Sequence, residues 1–207
     1  MSQRQVEIVE RTRVYDGFFK LDVARVRHEL FRGGMSPELK REIFVQRQAV
    51  AVLPYDPRAD RVVLVEQFRA GTIDWGGEPW LLEAVAGILD KDGEAVEAAA
   101  KREVKEECGL ELGRLDFAGL YASSPGGTTE RVHTFVGEVT APESGGVHGL
   151  ASEHEDIRLT VVPVEEAFAM FRAGRIVAAD TIVPLQHLML HRDRLRREWG
   201  SGDMPRG

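Results

Sequence analysis

The segment from Gly87 to Leu110, GILDKDGEAVEAAAKREVKEECGL, constrains the fold of this chain more than any other segment. Its central part contains neither glycine nor proline, and Gly109 follows it as a stop signal. A helix that ends before a glycine is a common arrangement, because glycine readily adopts the left-handed backbone that closes a helix. The segment therefore predicts a helix over Glu94–Cys108.

Three glutamates share one face of this predicted helix. At about 100° per residue, Glu103, Glu106 and Glu107 fall within an arc of roughly 100°. The arc overlaps the apolar stripe formed by Val96, Ala99, Ala100 and Val104. Repulsion between the carboxylates, the negative end of the helix and partial burial all disfavour this arrangement. A bound divalent cation would offset all three costs, and oxygen ligands favour Mg²⁺, or a similar ion such as Mn²⁺. The alternative is a solvent-exposed acidic helix with Lys101 and Lys105 as its ionic partners.

Composition and charge exclude several classes of protein. The 207 residues include 27 Lys and Arg against 34 Asp and Glu, and the formal net charge of −7 argues against a nucleic-acid partner. No apolar run approaches the ~20 residues needed to span a membrane. Cys108 is the single cysteine, so no intrachain disulfide can form. The first residues, MSQRQVEIVERT, contain no apolar signal core, which favours a cytoplasmic protein.

The coarse pattern along the chain predicts an α+β fold, an α/β/α sandwich around a mixed sheet. Residues 1–47 predict a small antiparallel unit with little core of its own, and residues 48–207 the main domain. The predicted strands of the small unit are Val6–Tyr15, Phe18–Phe31 and Lys40–Val45. Those of the main domain are Ala49–Leu53, Arg61–Phe68, Trp80–Val85, Leu115–Ala122, Val132–Val139 and Ile157–Val162. Further helices are predicted at Val164–Ala173 and from Asp180 to about Trp199.

The helix and its flanks resemble the Nudix box, G-x5-E-x7-R-E-U-x-E-E-x-G-U, in which U is a bulky apolar residue. The matching positions are Glu94, Arg102, Glu103, Val104, Glu106, Glu107, Gly109 and Leu110. One departure is visible, because six residues instead of five separate Gly87 from Glu94. Since every helical position is retained, we assign the extra residue to the loop Asp90–Gly93.

Segments outside the box extend this resemblance. GFFKLD, MSPELKREIF, EQFR, PWLLEAVAG, SSPGGTTER and GLASEHEDIR are similar to the ADP-ribose pyrophosphatases of the Nudix superfamily. The resemblance implies a metal-dependent hydrolase that converts ADP-ribose to AMP and ribose 5-phosphate. It also implies a homodimer, in which the N-terminal sheet of residues 1–47 contacts the second subunit.

The same resemblance implies roles for individual residues. The implied metal ligands are the backbone carbonyl of Ala86 and the carboxylates of Glu103, Glu107 and Glu155. The implied general base is Glu153. Arg102 would orient a glutamate of the box, and Glu106 would either bind the metal or contact a residue that binds it. The implied substrate-binding residues are Arg41, Glu42, Arg69, Gly126 and Glu130, of which Arg41 and Glu42 come from the second subunit. An exposed acidic loop is the alternative for residues 153–156.

Two other functions stay open at this point. A pyrophosphatase for another nucleotide sugar, such as GDP-mannose, would share the fold and the mechanism. A non-catalytic ADP-ribose sensor is disfavoured, since such proteins tend to lose the carboxylates of the box. His187 and His191 have the spacing of two zinc ligands on a helix, but no third ligand is evident, and packing explains them more simply.

Overall fold

The computed structural model describes residues 4–91, 93–150 and 155–200, which form two compact units. One unit contains the residues up to Gln48 together with Ala122–Arg131, and the other contains Ala49–Tyr121 and the residues from Val132 onward. A division of the chain into domains at residue 48 stays a prediction. The association of residues 122–131 with the N-terminal strands was not part of that prediction.

The first unit is a three-stranded antiparallel sheet in the order β1-β2-β3. Its strands are β1 (Val6–Asp16), β2 (Lys20–His28) and β3 (Leu39–Val45), so the predicted small antiparallel sheet is confirmed. Residues 122–131 join it through two backbone hydrogen bonds. The Phe44 N–H donates to the Gly127 carbonyl at 2.8 Å, and the Thr129 N–H donates to the Phe44 carbonyl at 3.1 Å.

The described residues of the second unit form eight strands and three α-helices. The strands are β4 (Ala49–Asp56), β5 (Arg61–Phe68), β6 (Trp80–Glu83), β7 (Val85–Ile88), β8 (Leu115–Ala122), β9 (Arg131–Glu138), β10 (Val147–His148) and β11 (Ile157–Pro163). The helices are α1 (Val96–Cys108), α2 (Val164–Arg172) and α3 (Ala179–Trp199), with a short 3₁₀ helix at Ala70–Trp75. No helix in the described parts of the chain is both long and apolar enough to cross a membrane.

These strands form a mixed sheet that is covered by helices on both faces. Its main order is β10-β11-β5-β4-β9-β8, and β4 and β9 run parallel. Alternate residues of each strand point to opposite faces. Val50 and Val52 of β4 accordingly pack with α1, whereas Leu53 and Tyr55 pack with α2 and α3. The predicted α/β/α sandwich is confirmed.

Two central strands of the sheet, β4 and β5, separate after a short stretch of pairing. β4 and β5 pair only beside their connecting turn, after which β4 pairs with β7 and β5 pairs with β6. The predicted single strand Trp80–Val85 is wrong in this respect, because it is interrupted at Ala84. The Ala84 N–H leaves the ladder and donates to Thr181 Oγ1 of α3 at 2.7 Å.

The helix that carries the box begins two residues later than predicted, at Val96, with Ala95 at its N-cap. Its end agrees with the prediction, since it finishes at Cys108. Gly109 follows with a φ of 66°, and its N–H donates to the Lys105 carbonyl at 3.0 Å. Residues with a side chain rarely adopt this backbone conformation, which explains the glycine at the helix end.

Candidate active site

Two carboxylates of α1 are turned toward the interior. Glu103 is 9% exposed and Glu107 is 4% exposed, and both share the buried face with Ala99, Ala100, Val104 and Cys108. The Glu103 carboxylate lies directly over Gly87 of β7, where a side chain would leave it no room. The predicted overlap of acidic and apolar residues on one helix face is therefore present for Glu103 and Glu107, whereas Glu106 is only half-buried.

Arg102 binds three of the glutamates that the box pattern singled out. Its Nε and Nη2 donate to the two carboxylate oxygens of Glu94 at 3.1 and 3.0 Å. Its Nη1 donates to Glu103 at 2.7 Å and to Glu106 at 3.1 Å. These hydrogen bonds raise the pKa of Arg102, and its bond to Glu94 lowers the pKa of that carboxyl. Glu94 precedes α1, so the additional residue in the loop does not disturb this pairing.

Glu107 is the most perturbed carboxyl group of the site. Burial, followed by the nearby charges of Glu155 and Glu103, raises its pKa to about 8, while Arg69 and a backbone hydrogen bond from Ala86 act in the opposite direction. The bond places Ala86, the predicted carbonyl ligand, beside Glu107. Burial is also the main reason why the pKa of Glu103 is raised, and Arg102 opposes this shift.

Glu155 is held to Leu150 by two hydrogen bonds. Its Oε2 accepts a hydrogen bond from the Leu150 N–H at 3.0 Å, and its own N–H donates to the Leu150 carbonyl at 3.3 Å. The charge of Glu155 also contributes to the raised pKa of both Glu103 and Glu107. The predicted base, Glu153, lies outside the described residues.

The donor set fits a hard divalent cation. Glu107 Oε2 is buried, and it has no hydrogen-bond partner in the described part of the chain. Leaving a buried carboxylate oxygen unpaired is costly, and a cation between Glu103 and Glu107 would remove that cost. Within residues 4–91, 93–150 and 155–200, no three His, Cys, Asp or Glu side chains already stand in metal-ligand geometry. The carboxylate pair beside the Ala86 backbone is therefore the candidate cation site.

Sequence reasoning missed Glu83, a buried carboxylate at the end of β6. It is 4% exposed, and its Oε2 accepts a hydrogen bond from Arg69 Nε at 2.7 Å. Burial raises its pKa, with Arg69 opposing the shift. In the sequence it ends the mostly apolar run WLLE, which gives no local signal for a charged group in the site.

The other predicted substrate residues lie in the first unit. Arg41 and Glu42 are consecutive on β3, opposite Ala24 and Val23 of β2, and both are exposed. Gly126 and Glu130 belong to the segment that joins the sheet at Phe44. Their assignment to substrate binding stays a prediction.

Of the two histidines of α3, His187 pairs with a carboxylate and His191 packs against the His187 ring. His187 Nε2 lies 2.5 Å from Asp116 Oδ2, and the two histidine rings pack with their centroids 4.4 Å apart. Asp116 also accepts hydrogen bonds from both terminal nitrogens of Arg194, at 3.0 and 2.6 Å. These contacts agree with the packing interpretation.

The architecture is an α/β/α sandwich in which α1 buries two glutamates, one of them against Gly87 of β7. This combination is typical of the Nudix class of fold. The NUDIX domain model matches residues 45–182. The chain therefore belongs to the NUDIX domain family, which confirms the resemblance found in the sequence.

Individual relatives are similar over nearly the whole chain. The ADP-ribose pyrophosphatase of Escherichia coli (strain K12) is 47% identical over 197 residues, which cover 95% of this chain and 94% of that protein. The ADP-ribose pyrophosphatase of Haemophilus influenzae is 40% identical over 201 residues, covering 96% and 92%. The GDP-mannose pyrophosphatase of Cronobacter sakazakii is 34% identical over 191 residues, covering 89% and 95%.

A solved structure supports the fold independently. The crystal structure of an ADP compounds hydrolase matches with a TM-score of 0.69 and 23% identity, covering 96% of this chain and 98% of that one.

Proposed function

We propose that this protein hydrolyses the diphosphate bond of ADP-ribose and releases AMP and ribose 5-phosphate. The observation that carries the proposal is the buried pair Glu103 and Glu107. Since Glu107 Oε2 has no hydrogen-bond partner among the described residues, a cation would offset the cost of its burial. The choice of substrate is supported by identities of 47% and 40% to ADP-ribose pyrophosphatases, against 34% to a GDP-mannose pyrophosphatase.

The cation we propose is Mg²⁺, with Mn²⁺ as a substitute, held by Glu103, Glu107, the Ala86 carbonyl and Glu155. Carboxylate and carbonyl oxygens are the ligands that these hard ions prefer. When bound, they neutralise charge on the diphosphate and lower the pKa of a coordinated water.

The protein contributes position and charge. Arg102 keeps Glu103 and Glu106 oriented, because each accepts one of its guanidinium hydrogen bonds. Arg69 supplies a guanidinium for the diphosphate, a group that arginine binds well through its planar fork. Glu153 accepts the proton of the attacking water as the general base, a role that rests on the resemblance alone.

We further propose that the protein works as a homodimer. Every residue of β1 is exposed, although the strand contains five large apolar side chains. These are Val6, Ile8, Val9, Val14 and Tyr15. A second copy of the chain would bury them, and in that dimer Arg41 and Glu42 would serve the partner's site.

A panel of nucleotide sugars tests this function. We expect ADP-ribose to have the highest kcat/KM with Mg²⁺, and EDTA to abolish turnover. If GDP-mannose exceeds ADP-ribose by about tenfold or more, which is ~1.4 kcal/mol in transition-state stabilisation, the substrate assignment is wrong. Binding of ADP-ribose without any turnover in Mg²⁺ or Mn²⁺ would instead indicate a sensor.

A further inference from the structure

Arg69 differs from three other arginines of its unit in how many of its guanidinium nitrogens donate hydrogen bonds. Arg102, Arg114 and Arg192 each donate hydrogen bonds from Nε and from both Nη atoms. Within the part of the chain that the structure describes, Arg69 donates only from Nε, to Glu83. In the described residues neither of its Nη atoms has a hydrogen-bond partner, so no side chain among them occupies the end of its guanidinium.

The backbone of Arg69 is fixed on both sides. Its N–H donates to the Pro79 carbonyl at 2.7 Å. Its carbonyl accepts two hydrogen bonds from Thr72, one from the N–H at 3.0 Å and one from Oγ1 at 2.8 Å. With the backbone held in this way, the bond to Glu83 is what restricts the direction of the side chain.

The burial of the Glu83 carboxylate is difficult to explain as a contribution to the stability of the folded protein. Glu83 is a carboxylate at 4% exposure, and its one hydrogen-bond partner among the described residues is Arg69, whose side chain is 37% exposed. Replacing a buried ion pair of this kind by apolar residues is often neutral or stabilising. The cost of burying Glu83 therefore indicates a role in the site.

We propose that Glu83 is a positioning residue, which holds Arg69 through Nε so that both Nη groups point at the diphosphate of the substrate. The inference rests on the proposed function for the identity of the ligand. A carboxylate on Nε suits this purpose, because it orients the guanidinium without occupying the fork that binds two phosphate oxygens. The charge of Arg69 already influences Glu107, so the guanidinium lies within electrostatic reach of the candidate cation site.

The test is a double-mutant cycle on ligand binding. The probe is the α,β-methylene analogue of ADP-ribose, which cannot be hydrolysed at that position, titrated calorimetrically in Mg²⁺. We expect Glu83→Leu to weaken binding roughly tenfold, as for loss of a charge-assisted hydrogen bond. In an Arg69→Met background the same change should have almost no effect, because the side chain it positions is gone.

Conservative variants and a matched control separate positioning from folding. Glu83→Gln should restore most of the affinity, since its amide oxygen can still accept from Nε. Glu83→Asp keeps the charge but shortens the side chain, and should bind as weakly as Glu83→Leu. Glu138, 1% exposed and paired with Arg114, provides the control, and Glu138→Leu should leave the affinity unchanged.

The outcomes are distinguishable from failure of the proposed function. Equal losses in both backgrounds, or wild-type affinity in Glu83→Leu and Glu83→Asp, would overturn the role of Glu83. So would a wild-type protein that does not bind the analogue. A protein that binds the analogue, shows the expected cycle and does not hydrolyse ADP-ribose would disprove the activity and leave the positioning role intact.

Discussion

The carboxylate of Glu103 occupies the space that a side chain at Gly87 would need. A Cβ atom built on Gly87 would lie 1.9 Å from Glu103 Cδ and 2.0 Å from its Oε1. Contacts this short cannot exist, so β7 must carry a glycine here for α1 to place its carboxylate against the strand. The presence of Gly87 in the strand and the position of Glu103 in the helix therefore depend on each other.

Gly87→Ala should therefore displace Glu103 and reduce kcat about 100-fold, since a shift of ~1 Å in a catalytic group costs this much. Steady-state kinetics with ADP-ribose and Mg²⁺ measure the effect. Gly77→Ala is the control, because an added Cβ there meets no atom within 4 Å. Near-normal turnover in Gly87→Ala would show that the position of Glu103 is not critical.

The raised pKa of Glu107 predicts how the metal-free protein responds to pH. In the folded protein the Glu107 carboxyl has a pKa of about 8, so it keeps its proton at neutral pH. In the unfolded chain it ionises near its ordinary, lower pKa. Folding therefore binds a proton between these two pKa values, and stability falls as the pH rises. In EDTA we expect the free energy of unfolding to decrease by roughly 2 kcal/mol between pH 6 and 8.

Urea denaturation at several pH values measures this slope. Glu107→Gln, which does not titrate, should remove most of the slope in EDTA. Saturating Mg²⁺ should flatten the wild-type profile as well, because the cation replaces the proton. An equally steep profile in Glu107→Gln would assign the pH dependence to other groups.

Arg102→Lys should impair both stability and catalysis. Lysine keeps the charge but cannot bind Glu94, Glu103 and Glu106 together, so we expect a loss of about 1–3 kcal/mol in unfolding free energy. We also expect kcat to fall at least tenfold, because Glu103 loses its partner. Arg192→Lys is the matched control, since Arg192 similarly joins Asp60 and Glu165. If both variants lose stability but neither loses activity, Arg102 is purely structural.

Glu155 has two proposed contributions, its hydrogen bond with Leu150 and its charge as a cation ligand, and one substitution separates them. Glu155→Gln keeps an oxygen that can accept from the Leu150 N–H, but removes the negative charge that a cation would use. We expect the Mg²⁺ concentration for half-maximal activity to rise by about 10–100-fold, with the melting temperature of the metal-free protein unchanged or higher. Titration of activity with Mg²⁺ checks this, and an unchanged midpoint would exclude Glu155 from cation binding.

The fold and the site could be predicted where the pattern of neighbouring residues determines a residue's position, and could not be predicted where a distant segment determines it. The face of α1 follows from helical periodicity, so the burial of Glu103 and Glu107 was foreseeable. The break at Ala84 was not, because the Ala84 N–H is bound by Thr181, which lies 97 residues away in the sequence. Likewise the pairing of Phe44 with Gly127 joins distant segments through backbone atoms, which leave no trace in side-chain pattern.

The exposed strand β1 gives the last prediction. Ile8 is 62% exposed, in a strand whose residues are all exposed, and burying such a side chain in a dimer would contribute about 1.5–3 kcal/mol. Ile8→Asp should therefore shift the protein from dimer to monomer, as measured by light scattering coupled to gel filtration across a concentration series. Leu190→Asp is the control, because Leu190 is 80% exposed on α3 and lies outside the sheet. A wild-type monomer would disprove the dimer. A dimer that persists in Ile8→Asp and dissociates in Leu190→Asp would place the contact between copies elsewhere.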